Sequence, residues 1–231
     1  MVNKEMDSAD EALSDIQDEA VIMVGGFGPA GQPTGLIDAL IRRNARGLTL
    51  ISNNAGNGDY GLAALLKAGC VKRMICSFPR QADSWVFDEL YRQKKIELEL
   101  VPQGNLVARI QAAGAGLGAI FTPTAYGTRL AEGKETRLIN GRHYVLELPL
   151  SAHFSLIKAQ RADRWGNLTF NKTGRNFGPI MAAASRCTIA EVSEMVPLGA
   201  LDPEAVITPG IYVKRVVHVP AVQTRLIAQD A

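Results

Sequence analysis

The chain has 231 residues, 47% of them hydrophobic and 21% charged, with a formal net charge of +2 at pH 7. That length suits one large packed domain or two small ones, and its basic residues are dispersed among acids, which argues against an electrostatic nucleic-acid surface. No apolar run reaches membrane-spanning length, the polar and acidic Met1–Asp7 is no signal peptide, and Cys70, Cys76 and Cys187 read as reduced, packed thiols of a cytoplasmic protein.

A first helix is expected from about Ser8 to Ile16. The run Val21-Ile22-Met23-Val24 then enters a glycine-rich turn through Gly25, Gly26, Phe27, Gly28, Pro29, Ala30 and Gly31, and Leu36, Ile37, Leu40 and Ile41 follow at helical spacing. Strand, tight loop and helix are the natural reading. Exposed N–H groups at such a turn, beside a helix N-terminus, favour phosphates and developing oxyanions, although tight strand-to-helix turns are glycine-rich for steric reasons alone. No G-x-x-x-x-G-K-[ST] is present. Gly26, Gly28 and Gly31 meet the G-x-G-x-x-G frame, but Ile51-Ser52-Asn53-Asn54 stands where a dinucleotide site needs an acid.

Strand-like runs recur at Ala20–Val24, Leu48–Ser52, Arg73–Ser77, Ile96–Val101 and Gly118–Phe121, with helical patterns at Leu36–Asn44, Gly61–Lys67, Ser84–Gln93 and Leu106–Ala113. Asp83 is the expected N-cap of the third helix, whose apolar face is Val86, Phe87, Leu90 and Tyr91. This alternation predicts an α/β protein with an open, mainly parallel sheet and helices on both faces. After Gly127 the pattern turns β-rich. Asn140-Gly141 marks a hairpin between Lys134–Ile139 and Arg142–Leu146. Strands are expected at Phe154–Ala159, Thr188–Val192 and Ile211–Val217, around a Gly/Asn/Arg-rich loop from Asp163 to Arg175. This portion reads as a flap on the sheet within one domain over residues 1–231. His143, His153 and His218 lie far apart and no Cys/His cluster has zinc spacing, so no metal is expected.

Several segments together resemble the A (α) subunit of family I coenzyme A transferases. They are Gly25-Gly26-Phe27 with Gly31-x-Pro33, Ser52-Asn53-Asn54-Ala55-Gly56, Val101-Pro102-Gln103-Gly104, Gly114-Ala115-Gly116, Thr122–Gly127, Asp163-Arg164-Trp165-Gly166-Asn167 and Ala205–Gly210. Cys76-Ser77-Phe78-Pro79-Arg80-Gln81 and Ile207–Ile211 look most like the branch that moves CoA from succinyl-CoA to 3-oxoadipate. Glu19 and Ala125 stand where that family often has glycine.

The resemblance implies a CoA thioester as substrate and no tightly bound cofactor. It also implies a nucleophilic glutamate on a separate B subunit, in an A2B2 assembly, so that this chain is inactive alone. Glu132 and Glu147 are read as solvated or hairpin residues, not as nucleophiles. The Gly25–Gly31 loop is then expected to contact CoA or an oxyanion, and Asn53, Asn54 and Gln103 to donate to a carboxylate. Without the resemblance, the same amides read as caps of their own turns. Arg80, beyond the Arg73–Ser77 strand, is expected to read the distal carboxylate of a dicarboxylic acceptor. Other readings of the residues are transfer to another 3-oxoacid such as acetoacetate, a single-chain sugar-phosphate isomerase, and a non-catalytic regulatory subunit.

Overall fold

Runs of residues apolar on both sides demand cover on both faces, and one parallel sheet between two helical layers supplies it. The computed structural model describes residues 2–220, so the one-domain expectation over 1–231 extends past it at both ends. In the first part of the chain strand and helix alternate: β1 (Glu5–Met6), α1 (Ala9–Ala12), β2 (Val21–Val24), α2 (Thr34–Arg43), β3 (Leu48–Ile51), α3 (Leu62–Lys67), β4 (Val71–Cys76), α4 (Trp85–Arg92), β5 (Glu97–Leu100) and α5 (Gln103–Gly114). The second part is strand-rich: β6 (Ile120–Thr122), β7 (Thr136–Ile139), β8 (Arg142–Glu147), β9 (Ala152–Ala162), β10 (Leu168–Thr169), α6 (Gly178–Ala183), β11 (Ser185–Met195) and β12 (Arg215–His218).

The main sheet runs β1-β12-β11-β9-β2-β3-β4-β5, all parallel, with β10 antiparallel on β9. Successive residues of β2 enter opposite cores. Ile22 and Val24 pack with Leu36, Ile37 and Leu40 of α2 and with Val86 and Phe87 of α4. Met23 packs on the other face with Leu106 and Ile110 of α5 and Met181 of α6. The period of two in the strand and 3–4 in the helices is thus read directly as two layers.

Three expectations change. The C-terminal strands are not a flap: β9 and β11 lie in the middle of the sheet. Leu156, Ile157, Ile189 and Ala190 are wholly buried, which an overlying flap could not achieve. The predicted fifth parallel strand, here β6, instead pairs antiparallel with β8 in a separate sheet ordered β6-β8-β7. In that sheet Asn140 and Gly141 take φ of 48° and 77°, both positive, as the two-residue hairpin turn requires. Finally, Ser84 and not Asp83 is the N-cap position of α4, and it makes no side-chain cap bond. Its hydroxyl donates to the Gly56 carbonyl and accepts from Gln81 N–H, tying two site loops together.

Candidate active site

Open parallel sheets bind ligands beyond the carboxyl ends of their strands, where the chain order reverses. Here the reversal falls between β2 and β9, because the chain winds outward through β3, β4 and β5 and returns at β9 to build the other side. The glycine loop leaves β2 at that point. Asn53 and Asn54 follow β3, Ser77 and Arg80 follow β4, and Gln103 opens α5 beyond β5.

The structure brings Asn53 and Gln103 together. Gln103 Nε2 donates to Asn53 Oδ1 at 2.7 Å, and Ser77 Oγ lies 2.8 Å from the same oxygen. Asn53 Nδ2 has no partner among the described residues. Beside it, Asn54 Oδ1 accepts from Gly56 N–H at 2.9 Å, closing a turn whose φ of 88° at Gly56 suits glycine. That contact aims Asn54 Nδ2 the other way, where it is buried and without a hydrogen-bond partner among the described residues. A buried amide donor left open costs about 1–3 kcal/mol, and Ser52 Oγ and Thr208 Oγ1 are likewise buried without partners among the described residues. Asn54 lines a small recess with Gly28, Pro29 and Tyr60.

Most of the glycine loop's donors are already taken. Phe27 and Ala30 exchange backbone hydrogen bonds across a tight turn, Gly25 N–H bonds Leu156 O, and Gly26 N–H bonds Asn176 Oδ1. Pro29 has no N–H, which leaves the Gly28 and Gly31 N–H groups without a partner among the described residues. Gly31 has φ 71°, and a Cβ there would overlap the carbonyl of Gly174. This glycine therefore lets the loop seat against the segment Asn171–Phe177. The helix N-terminus next to the loop is also occupied. Glu191 of β11, 1% exposed, accepts from Leu36 N–H in the first turn of α2 and pairs with Lys158 at 3.0 Å. The protein's own carboxylate thus takes one of the first-turn donors of α2.

Arg80 stands apart from the amides. It is exposed and pairs with Asp88 of α4 through Nε at 2.6 Å. Glu132 is exposed, whereas Glu147 is 3% exposed, accepts from Asn105 at 3.1 Å and pairs with Lys134 at 2.7 Å. Glu147 is the hairpin residue expected, but buried, not solvated. Burial pushes the Cys76 thiol up to about 12, so it stays protonated and unreactive at neutral pH.

A cleft of about 1080 Å³ lies beside the loop and not over the amides, between Phe27, Phe170, Lys172, Arg175 and Ile207. A second, about 540 Å³, runs past Gln103, Val107, Gln111 and Ile180. Phe27, 55% exposed, and Asn176 line both. Sequence pattern assigns no role to Ser77, Asn176 or Glu191. Asn176 joins the loop to the Asn171–Phe177 segment through Gly26 N–H and the Ala30 carbonyl. It stands one residue past the Gly/Asn/Arg-rich stretch singled out above, and nothing in its local pattern separates it from a loop asparagine.

The coenzyme A transferase family profile matches residues 6–219. The chain is 63% identical over 229 residues to the A subunit of the 3-oxoadipate CoA-transferase of Pseudomonas putida, an alignment covering 99% of each chain. It is 65% identical over 219 residues to the protein of the same name from Acinetobacter baylyi, covering 95% of this chain and 96% of the relative. Among solved structures, an acyl-CoA transferase of Escherichia coli O157:H7 in a thioester complex with CoA superposes with a TM-score of 0.80 at 24% identity. That match covers 94% of this chain and 47% of the other, and shows a shared fold.

Proposed function

The chain belongs to the coenzyme A transferase family, and on that footing we propose that it is the A subunit of a two-subunit enzyme moving CoA from succinyl-CoA to 3-oxoadipate. The observation that carries this reading is 63–65% identity, over nearly the whole length, to two proteins named for that acceptor. A glutamate carboxylate of the partner chain attacks the thioester carbonyl of succinyl-CoA, giving a mixed anhydride and CoA thiolate. The thiolate attacks the glutamyl carbonyl, releasing succinate and leaving a glutamyl–CoA thioester, and 3-oxoadipate then runs the steps in reverse. Each step places negative charge on a former carbonyl oxygen. Asn53 Nδ2, Asn54 Nδ2 and the Gly28 and Gly31 N–H groups are this chain's donors to those oxygens and to the carboxylates. Phe27, between the two clefts, lies against the CoA chain.

Arg80 reads the distal carboxylate of the acceptor, exchanging Asp88 for the substrate. The test is transfer from succinyl-CoA by the complex reconstituted with its partner chain. 3-Oxoadipate is expected to be preferred over acetoacetate, and borohydride is expected to trap the thioester on the partner. Arg80→Gln should lower kcat/KM for 3-oxoadipate roughly tenfold while acetoacetate loses much less. A preference for acetoacetate would refute the acceptor, and hydride trapped in this chain would refute the division of labour. Equal losses for both acceptors would remove Arg80 from substrate reading.

A further inference from the structure

We infer that Ser77 is a positioning residue whose hydroxyl proton sets which way the Asn53 amide faces, and through it the Gln103 amide. An Asn–Gln pair alone is ambiguous. Gln103 Nε2 donating to Asn53 Oδ1 and Asn53 Nδ2 donating to Gln103 Oε1 are equivalent contacts with both amides turned over. Ser77 removes the ambiguity. Its Oγ reaches two acceptors, Asn53 Oδ1 at 2.8 Å and the Asn53 carbonyl at 3.1 Å. The carbonyl already accepts two N–H groups, Phe78 at 2.9 Å and Ser77 at 3.2 Å, so both its lone pairs are taken. With the Asn53 amide turned over, Nδ2 would donate to Ser77 Oγ and leave the hydroxyl proton only the already saturated carbonyl, whereas in the orientation found the proton has Oδ1 as an open acceptor.

With Oδ1 holding the Ser77 and Gln103 protons, the Asn53 NH2 group is turned outward, where it has no partner among the described residues and can donate to an anionic oxygen. In the opposite orientation Asn53 would present a carbonyl oxygen to a substrate carboxylate and repel it. Asn53 is 3% exposed, so its amide has little water to reorient against. Ser77 thus acts only through Asn53, one strand away. This rests on the donor role of Asn53 proposed above.

The test is a double-mutant cycle in the complex with the partner chain, reading kcat/KM and the thermal midpoint. Ser77→Ala should lower kcat/KM by roughly tenfold or more with little change in midpoint, and Ser77→Thr should restore most of it. In an Asn53→Ala background, Ser77→Ala should cost no further activity. Multiplying losses, or an active Ser77→Ala enzyme, would overturn the inference. If Ser77→Ala does not fold, Asn53→Asp decides. It keeps an oxygen towards Ser77 and Gln103 and replaces the outward NH2 with a second oxygen, so it should assemble normally and lose transfer by roughly a hundredfold. An active Asn53→Asp enzyme would overturn the orientation. A wild-type complex without transfer would instead overturn the proposed function, and this inference with it.

Discussion

Ala125 and Glu19, where the resemblance leads to an expectation of glycine, take φ of 75° and 62°. Both are left-handed, where an L side chain costs roughly 1–2 kcal/mol. A glycine would adopt this backbone without that cost, and this chain carries the strain. Ala125→Gly should relieve it, less what the more flexible unfolded chain gives back, for a net gain of about 0.5 kcal/mol. In a chain of this size that raises the thermal midpoint by roughly 1–2 °C. A calorimetric scan finding a lower midpoint would show that the Ala125 methyl group packs favourably. Other recurring residues are structural in another way. Asp163 accepts from the Trp165 and Asn167 N–H groups, and Asn167 Oδ1 accepts from Gly210 N–H, so these separated segments form one folded corner.

Strand β5 closes one edge of the sheet, and a charged clamp fastens it. Glu99 takes Arg73 of β4 at 2.5 Å and Arg109 of α5 at 2.9 Å, while Arg109 also donates to the Leu148 carbonyl at 2.9 Å. Burial works to raise the Glu99 pKa, but the hydrogen bonds and charges of Arg109 and Arg73 outweigh it and hold the carboxyl below its usual range. Because the folded pKa is depressed, the clamp's contribution is complete above the unfolded pKa of about 4.3 and is lost as pH falls through the folded value. Glu99→Gln should thus cost about 1 kcal/mol at pH 7, after allowance for partial exposure, and nothing once both states of the wild type are protonated. Denaturant titrations of the two proteins from pH 7 to pH 2 measure the gap. A gap that stays constant with pH would mean that Glu99 acts by shape and not by charge. Ile96–Leu100 alternates apolar and charged residues, the local mark of a half-exposed strand, whereas the two arginines come from other elements and are invisible locally.

Taken whole, the chain presents donors and clefts around β2 and β9, with the buried carboxylates among the described residues committed elsewhere: Glu147 to Lys134, Glu191 to Lys158 and the first turn of α2, and Asp163 to Trp165 and Asn167. On the proposed mechanism the covalent nucleophile belongs to the partner chain. Purified alone, this chain should show no transfer from succinyl-CoA. Titration with the partner should raise activity linearly to an equimolar ratio, and sedimentation of the product should give the mass of two copies of each. Full activity without the partner, or saturation away from equimolar, would contradict the A2B2 arrangement.

Alternating hydrophobic periods were enough to predict a parallel α/β sheet with helices on both faces, because burial imposes those periods residue by residue. That the glycine run, Asn53, Asn54 and Gln103 lie beyond strand ends was likewise legible, since each follows a recognisable strand. Where the later strands went was not. Phe154–Ala159 and Thr188–Val192 read as strands in either location, and only burial on both faces puts the first beside β2 and the second beside the first. The committed donors of the glycine loop, the Glu191 carboxylate at α2 and the Ser77 proton on Asn53 were equally beyond reach. Each depends on atoms far apart in the chain, separated by 24 residues for Ser77 and Asn53 and by 155 for Leu36 and Glu191. Hydrogen-bond partners at such separations are chosen by how strands order themselves in space, and no local pattern records that choice.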